Sequence, residues 1–136
     1  MGKIDWNDGS LRLDIPAMDA EHRELFEILN AILLQVESGA SQDLLLPMLD
    51  CLVAKSRAHF QAEEVLMDRH FYPGLAAHKA DHARLLTEAE HLQDLYRRGE
   101  VRPGLSHETS EFIRRWFLGH IAEKDVPYRP FVRRLT

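Results

Sequence analysis

The chain has a single cysteine, Cys51, so it forms no internal disulfide and offers no thiolate cluster for zinc. It contains no run of about 18 apolar residues, and its opening residues lack the apolar core of a signal peptide. These absences predict a soluble, cytoplasmic protein with no membrane partner. Basic residues are outnumbered, 17 Lys and Arg against 22 Asp and Glu, and the net charge of −5 excludes a dedicated nucleic-acid binder. Glycine and proline are sparse, at 7 and 6. With 45% apolar and 29% charged residues, the 136-residue chain is neither disordered nor fibrous. It is long enough to bury about two-thirds of its surface as one domain. Histidine is what it has in excess, with 8 residues.

Breaks fall at Asp14-Ile15-Pro16, Ser38-Gly39-Ala40-Ser41, Tyr72-Pro73-Gly74, Arg98-Gly99 with Pro103-Gly104, and Pro127 with Pro130. The four segments between them have helical periodicity and no strand-like alternation. Helices are expected at about 19–38 with Asp19 as N-cap, and at about 41–70 with Ser41 as cap and Pro47 as an early kink. Two more are expected, at about 74–98 before Gly99 and at about 105–126, where Pro127 stops or bends the chain. Each carries a three-four apolar stripe, and the connections are short. The sequence therefore predicts one all-α domain over 1–136, an antiparallel up-down-up-down four-helix bundle, with residues 1–18 as an arm laid across it.

Five histidines and a glutamate interrupt those stripes. His22 sits at the start of the first helix, His59 and Glu63 near the end of the second, and His78 and His82 near the start of the third. His120, with Asp125 beyond it, ends the fourth. Start, end, start, end is the order that brings all seven to one end of an up-down-up-down bundle. His59/Glu63 and His78/His82 are i, i+4 pairs sharing a helix face. His120 and Asp125 are five apart, about 140° around an ideal helix, a spacing that needs a distorted or ending turn. Each buried polar group without a partner costs about 1–3 kcal/mol, and a fold stable by roughly 5–15 kcal/mol does not carry six of them unsatisfied. A metal site resolves the conflict. Seven ligands exceed zinc's four, and five imidazoles are too nitrogen-rich for calcium or magnesium, so the residues suggest a dinuclear centre, with iron the leading candidate.

The motif residues are Ile15…Met18-Asp19-Ala20-Glu21-His22, then His59-Phe60-Gln61-Ala62-Glu63-Glu64, then Tyr72-Pro73-Gly74…His78…His82. They close with Trp116-Phe117-Leu118-Gly119-His120-Ile121…Asp125…Tyr128. From Trp6 to Tyr128 the chain resembles the bacterial single-domain hemerythrins. The resemblance implies reversible O₂ binding at two iron ions bridged by an oxo or hydroxo group and two carboxylates. It implies that His78, His82 and His120 hold one iron, that His22 and His59 hold the other, and that Glu63 and Asp125 bridge them. It further places Leu25, Phe60, Trp116 and Ile121 in an apolar O₂ pocket, with Leu25 and Phe60 bordering the two-histidine iron, and puts Tyr128 near the bridge. One departure is Lys55, where the family often has a tyrosine one turn before His59.

The expected role is an O₂ carrier, store or delivery protein, not an enzyme, with no protein recipient named by the sequence. Three other readings compete with it: an O₂ or redox sensor acting through a partner, a di-iron enzyme reducing peroxide or nitric oxide, and a structural bundle holding zinc or no metal. His70, His91 and His107, off the stripes or at helix ends, are expected to be solvated.

Overall fold

The computed structural model describes residues 13, 15–39, 41–99 and 105–135. Among them there is no strand. Four long helices, α1 (Pro16–Glu37), α2 (Gln42–Arg69), α3 (Leu75–Arg97) and α4 (Leu105–His120), are followed by a π-helical turn (Ile121–Asp125) and by α5 (Tyr128–Leu135). Consecutive helices pack together and α4 packs back on α1, closing a four-helix bundle. No helix among the described residues is long and apolar enough to cross a membrane.

The expected stripes supply the core. Leu25, Leu29, Ile32 and Val36 from α1 meet Leu45, Leu49 and Leu52 from α2, Leu85, Ala89 and Leu92 from α3, and Ile113, Trp116 and Phe117 from α4. Each such side chain, fully buried, contributes about 1.5–3 kcal/mol. Met67 is fully buried while its neighbour Leu66 is only half-buried, and Ile113 and Phe117 carry the α4 packing beside the half-buried Phe112.

Ser41 caps α2 as expected, its hydroxyl accepting from the Leu44 N–H, and Pro47 lies inside that helix. Gly99, just past α3, takes a left-handed φ of 67° that glycine adopts without penalty. Asp19, however, is not the cap of α1. The helix begins three residues earlier with Pro16 at its first position, where a missing N–H costs nothing. Asp19 instead accepts the Leu13 N–H at 2.7 Å and ties the incoming chain to the first turn. Residues 16–18, expected in the arm, belong instead to the first turn of α1, and residues 1–12 and 14 lie outside the described residues. A further difference is α5, beyond Pro127, where no helix was expected.

The turn from α2 to α3 lies at the metal-ligand end. The Tyr72 N–H bonds to Met67 O and the Phe71 N–H to Asp68 O, with Phe71 at φ 54°, a left-handed closure of the helix end. It sets His70 and Tyr72 beside the last helix.

Candidate metal centre

The bundle brings all seven expected residues into one layer. His22, His59, Glu63, His78, His82, His120 and Asp125 are each at most 3% exposed. They form two groups that share Glu63: one with His78, His82, His120 and Asp125, the other with His22 and His59.

The carboxylates divide their oxygens between the groups. Glu63 Oε1 lies 2.6 Å from His78 Nε2 and 3.1 Å from His82 Nε2. Its Oε2 lies 3.3 Å from His22 Nε2 and 3.1 Å from His59 Nε2. Asp125 repeats the pattern: Oδ1 is 2.7 Å from His78 Nε2 and 3.0 Å from His120 Nε2, and Oδ2 is 3.3 Å from His22 Nε2. Each carboxylate thus spans two clusters of imidazole nitrogens.

Asp125 reaches this position through the π-helical turn. Its i→i+5 hydrogen bonding, visible in the Val126 N–H to Ile121 O bond of 2.8 Å, makes residues five apart neighbours along the axis. That removes the 140° mismatch of an ideal helix. Pro127 follows the turn and leaves the Asp125 geometry intact.

Three more carboxylates, none of which the sequence marked as a partner of these histidines, aim the rings. His59 Nδ1 pairs with Glu21 Oε1 at 2.6 Å, His82 Nδ1 with Glu64 Oε2 at 2.7 Å, and His120 Nδ1 with Asp81 Oδ2 at 2.6 Å. Arg84 in turn donates to Asp81 Oδ1 through two nitrogens, at 3.0 and 2.7 Å. Each pair joins consecutive helices: α1 to α2, α2 to α3, α3 to α4. An Nδ1–H donated outward leaves the Nε2 lone pair facing the centre, the tautomer a metal ligand requires. The only signal in the sequence is adjacency: Glu21, Glu64 and Asp81 each neighbour a residue of the cluster, but each serves a histidine on the next helix.

The donor set fits transition-metal ions. Both oxygens of Asp125 and Nε2 of His59 are buried without a hydrogen-bond partner, although ring nitrogens crowd within ion-pair distance. His82 Nε2 and His120 Nε2 stand 3.1 Å apart, two inward-facing nitrogens that one cation satisfies together.

Without a cation, protons take its place. Burial pulls His22 down, but the closely placed carboxylates of Asp125 and Glu63 outweigh it and raise it from 6.5 to about 9. Burial is likewise overcome at His120, chiefly by Asp125, which raises it to about 10. Burial and the Glu63 charge push Asp125 up, yet His120 and His22 bring it from 3.8 to about 2. A histidine raised on folding stabilises fully below its unfolded value and loses that contribution as pH climbs through the folded one. The metal-free protein is therefore expected to lose stability as pH rises from 6.5 towards about 10. Its Asp125 contribution disappears as pH falls from 3.8 towards about 2. Metal affinity runs the other way on the alkaline side, because ions displace those protons. Thermal melts at stepped pH, set beside metal titrations, check both slopes.

Buried apolar side chains border the cluster, and charged ones line the openings towards it. Leu25 and Ile121 are buried. Leu25 and His59 line a small cavity of about 190 Å³ with Glu21, Glu24, Lys55 and Ala58, under the Lys55–Glu24 ion pair. Phe60 stacks on His82, with centroids 4.0 Å apart and planes at 9°. That puts its face against the three-histidine group, whereas the two-histidine side was expected; its centroid lies 5.8 Å from His59. Trp116 donates its indole N–H to Leu85 O at 2.9 Å and borders an open cleft of about 600 Å³ with Gly119 and His120. Phe117 likewise meets both groups, 5.4 Å from His22 and 6.2 Å from His120. Tyr128 is fully buried, and its hydroxyl pairs with His70, not with a bridging carboxylate. His70 is thus half-buried and bonded, where a solvated side chain was expected.

The model of the hemerythrin HHE cation binding domain matches residues 13–131. The chain belongs to the hemerythrin family. It is 28% identical over 130 residues to bacteriohemerythrin of Methylococcus capsulatus, covering 96% of this chain and 97% of that one. It is also 28% identical over 133 residues to bacteriohemerythrin of Stenotrophomonas maltophilia, covering 98% and 84%. The crystal structure of a hemerythrin with a leucine-to-tyrosine substitution superposes at a TM-score of 0.85 with 27% identity, over 97% of this chain and 98% of that one. As a hemerythrin the chain is a metal-binding member of an O₂-binding, di-iron family with a helical-bundle fold.

Proposed function

We propose that this hemerythrin carries, stores or delivers O₂, binding it reversibly at two iron ions held by the seven buried side chains. The observation that carries the reading is the division of Glu63 and Asp125, each turning one oxygen to the three-histidine group and the other towards the two-histidine group. His78, His82 and His120 would hold one ion and His22 and His59 the other, with Glu63 and Asp125 shared between them. A pair of ferrous ions held there would supply the reversible electron donation to O₂ that the side chains themselves lack.

The protein's part is positioning and exclusion. The two-histidine side has one protein donor fewer, so it is the side open to O₂. Leu25 and Phe117 shield the two-histidine side from water, while Phe60, Trp116 and Ile121 (next to His120 in the chain) shield the three-histidine side, which slows oxidation of the loaded centre. Glu21, Glu64 and Asp81 hold three ligand rings in register. The five imidazoles leave one coordination place fewer filled on the two-histidine side alone, which favours carriage over catalysis.

Absorption spectra of the iron-loaded protein, recorded without and with O₂, test this. A charge-transfer band that appears with O₂ and vanishes on its removal is expected. A band that does not reverse, or turnover of peroxide or nitric oxide with no reversible band, overturns the reading.

A further inference from the structure

Tyr128 and His70 lie beside the cluster, and O₂ binding makes no use of them. Tyr128 begins α5 and is fully buried, with its hydroxyl 2.5 Å from His70 Nδ1. Its ring is 4.7 Å from Tyr72 and 6.1 Å from Phe131. Burial first, and then the charge of Glu63, pushes the phenol up to about 12. The hydroxyl therefore stays protonated and lies within electrostatic reach of the shared carboxylate.

A buried phenol needs a hydrogen-bond partner, and a backbone carbonyl would be enough for packing alone. The partner here is an imidazole at the end of α2, half-buried. An imidazole with its proton on Nε2 offers Nδ1 as a base, so it can take the phenolic proton and pass one on to water. Tyr128 thus joins the buried layer to a surface-reaching proton acceptor.

We propose that Tyr128 and His70 form a redox relay, in which Tyr128 gives one electron to a one-electron oxidant while its phenolic proton moves to His70 Nδ1. One electron leaves the phenol and one O–H bond breaks. The products are a neutral tyrosyl radical, an imidazolium and the reduced oxidant, and a one-electron reductant reverses the step. Resting on the iron reading above, the relay gives oxidising equivalents raised by peroxide at the carboxylate layer an exit that spares the ligand histidines.

The test uses the full chain as purified, with photo-oxidised ruthenium tris-bipyridine as the oxidant and electron paramagnetic resonance with transient absorption as the readout. The wild type is expected to give a neutral tyrosyl radical with a solvent deuterium effect on its formation. Tyr128→Phe removes most of that signal, whereas Tyr72→Phe and Tyr96→Phe keep it. His70→Asn leaves the phenol in place but slows radical formation about tenfold and abolishes the deuterium effect. Full radical yield in Tyr128→Phe, or an unchanged rate and deuterium effect in His70→Asn, overturns the relay. If Tyr128→Phe does not fold, the His70→Asn comparison decides alone. Because the oxidant is external, the outcome is independent of whether iron binds O₂.

Discussion

Replacing Glu63 with glutamine is expected to empty both metal positions and to destabilise the bundle at once. Glu63 belongs to both histidine groups, with one oxygen near His78 and His82 and the other near His22 and His59. Glutamine keeps the shape but loses the charge and replaces one oxygen with an NH₂ that cannot ligate. The raised histidines of the metal-free state then depend on Asp125 alone, and breaking a buried charge cluster at one partner costs about 3–5 kcal/mol. Iron per chain should fall from about two, the complement of a di-iron bundle, to near zero. Glu64→Gln, one residue on, is the matched control. Glu64 pairs only with His82 and lies outside the shared layer, so its loss should weaken metal affinity by about 10–100-fold without abolishing it. Metal analysis beside thermal melts of the two variants separates these outcomes.

Stripping the metal from the intact protein is the second large effect. Ions that bind only the folded state stabilise by about 4 kcal/mol when present at roughly a thousand times their dissociation constant. For a chain of 136 residues that corresponds to a midpoint shift of roughly 10–20 °C. The shift arises because cations give partners to the buried oxygens of Asp125 and to His59 Nε2, which hydrogen bonds leave unsatisfied. Calorimetry with and without a chelator measures it. An unchanged midpoint would mean that the imidazole–carboxylate pairs hold the cluster unaided.

The residues that carry this chemistry were legible because the bundle forbids them otherwise. A histidine in an apolar stripe is visible as an exception to periodicity, and an up-down-up-down order turns distant exceptions into one layer. The same logic could not see the π-helical turn. A five-residue spacing shows only that an ideal helix fails between His120 and Asp125, and the i→i+5 bonding that resolves it depends on packing at the end of α4. Asp19 looked like a cap because caps and first-turn acids share residue types. Pro16 moved the start of the helix, and Asp19 bonded to Leu13 instead.

Glu21 and Asp81 were hidden for a related reason: their partners are on the next helix, and a local reading gives surface acids. Phe60 was assigned by adjacency to His59, but neighbours along a helix point about 100° apart, and its face turns to His82. Tyr128 drew notice as a residue near the bridge, yet α5 was not foreseen, so its pairing with His70 across 58 residues was out of reach.

If Glu63 and Asp125 join two metal positions into one O₂-binding unit, iron and O₂ load in fixed proportion. Anaerobic titration of the metal-free protein with ferrous iron, followed by O₂ uptake, measures that proportion. The expected result is saturation at about two irons per chain, as in other di-iron bundles, with one O₂ taken up per pair and released on deoxygenation. Saturation at a single iron, or O₂ uptake that scales with each iron separately, would contradict it.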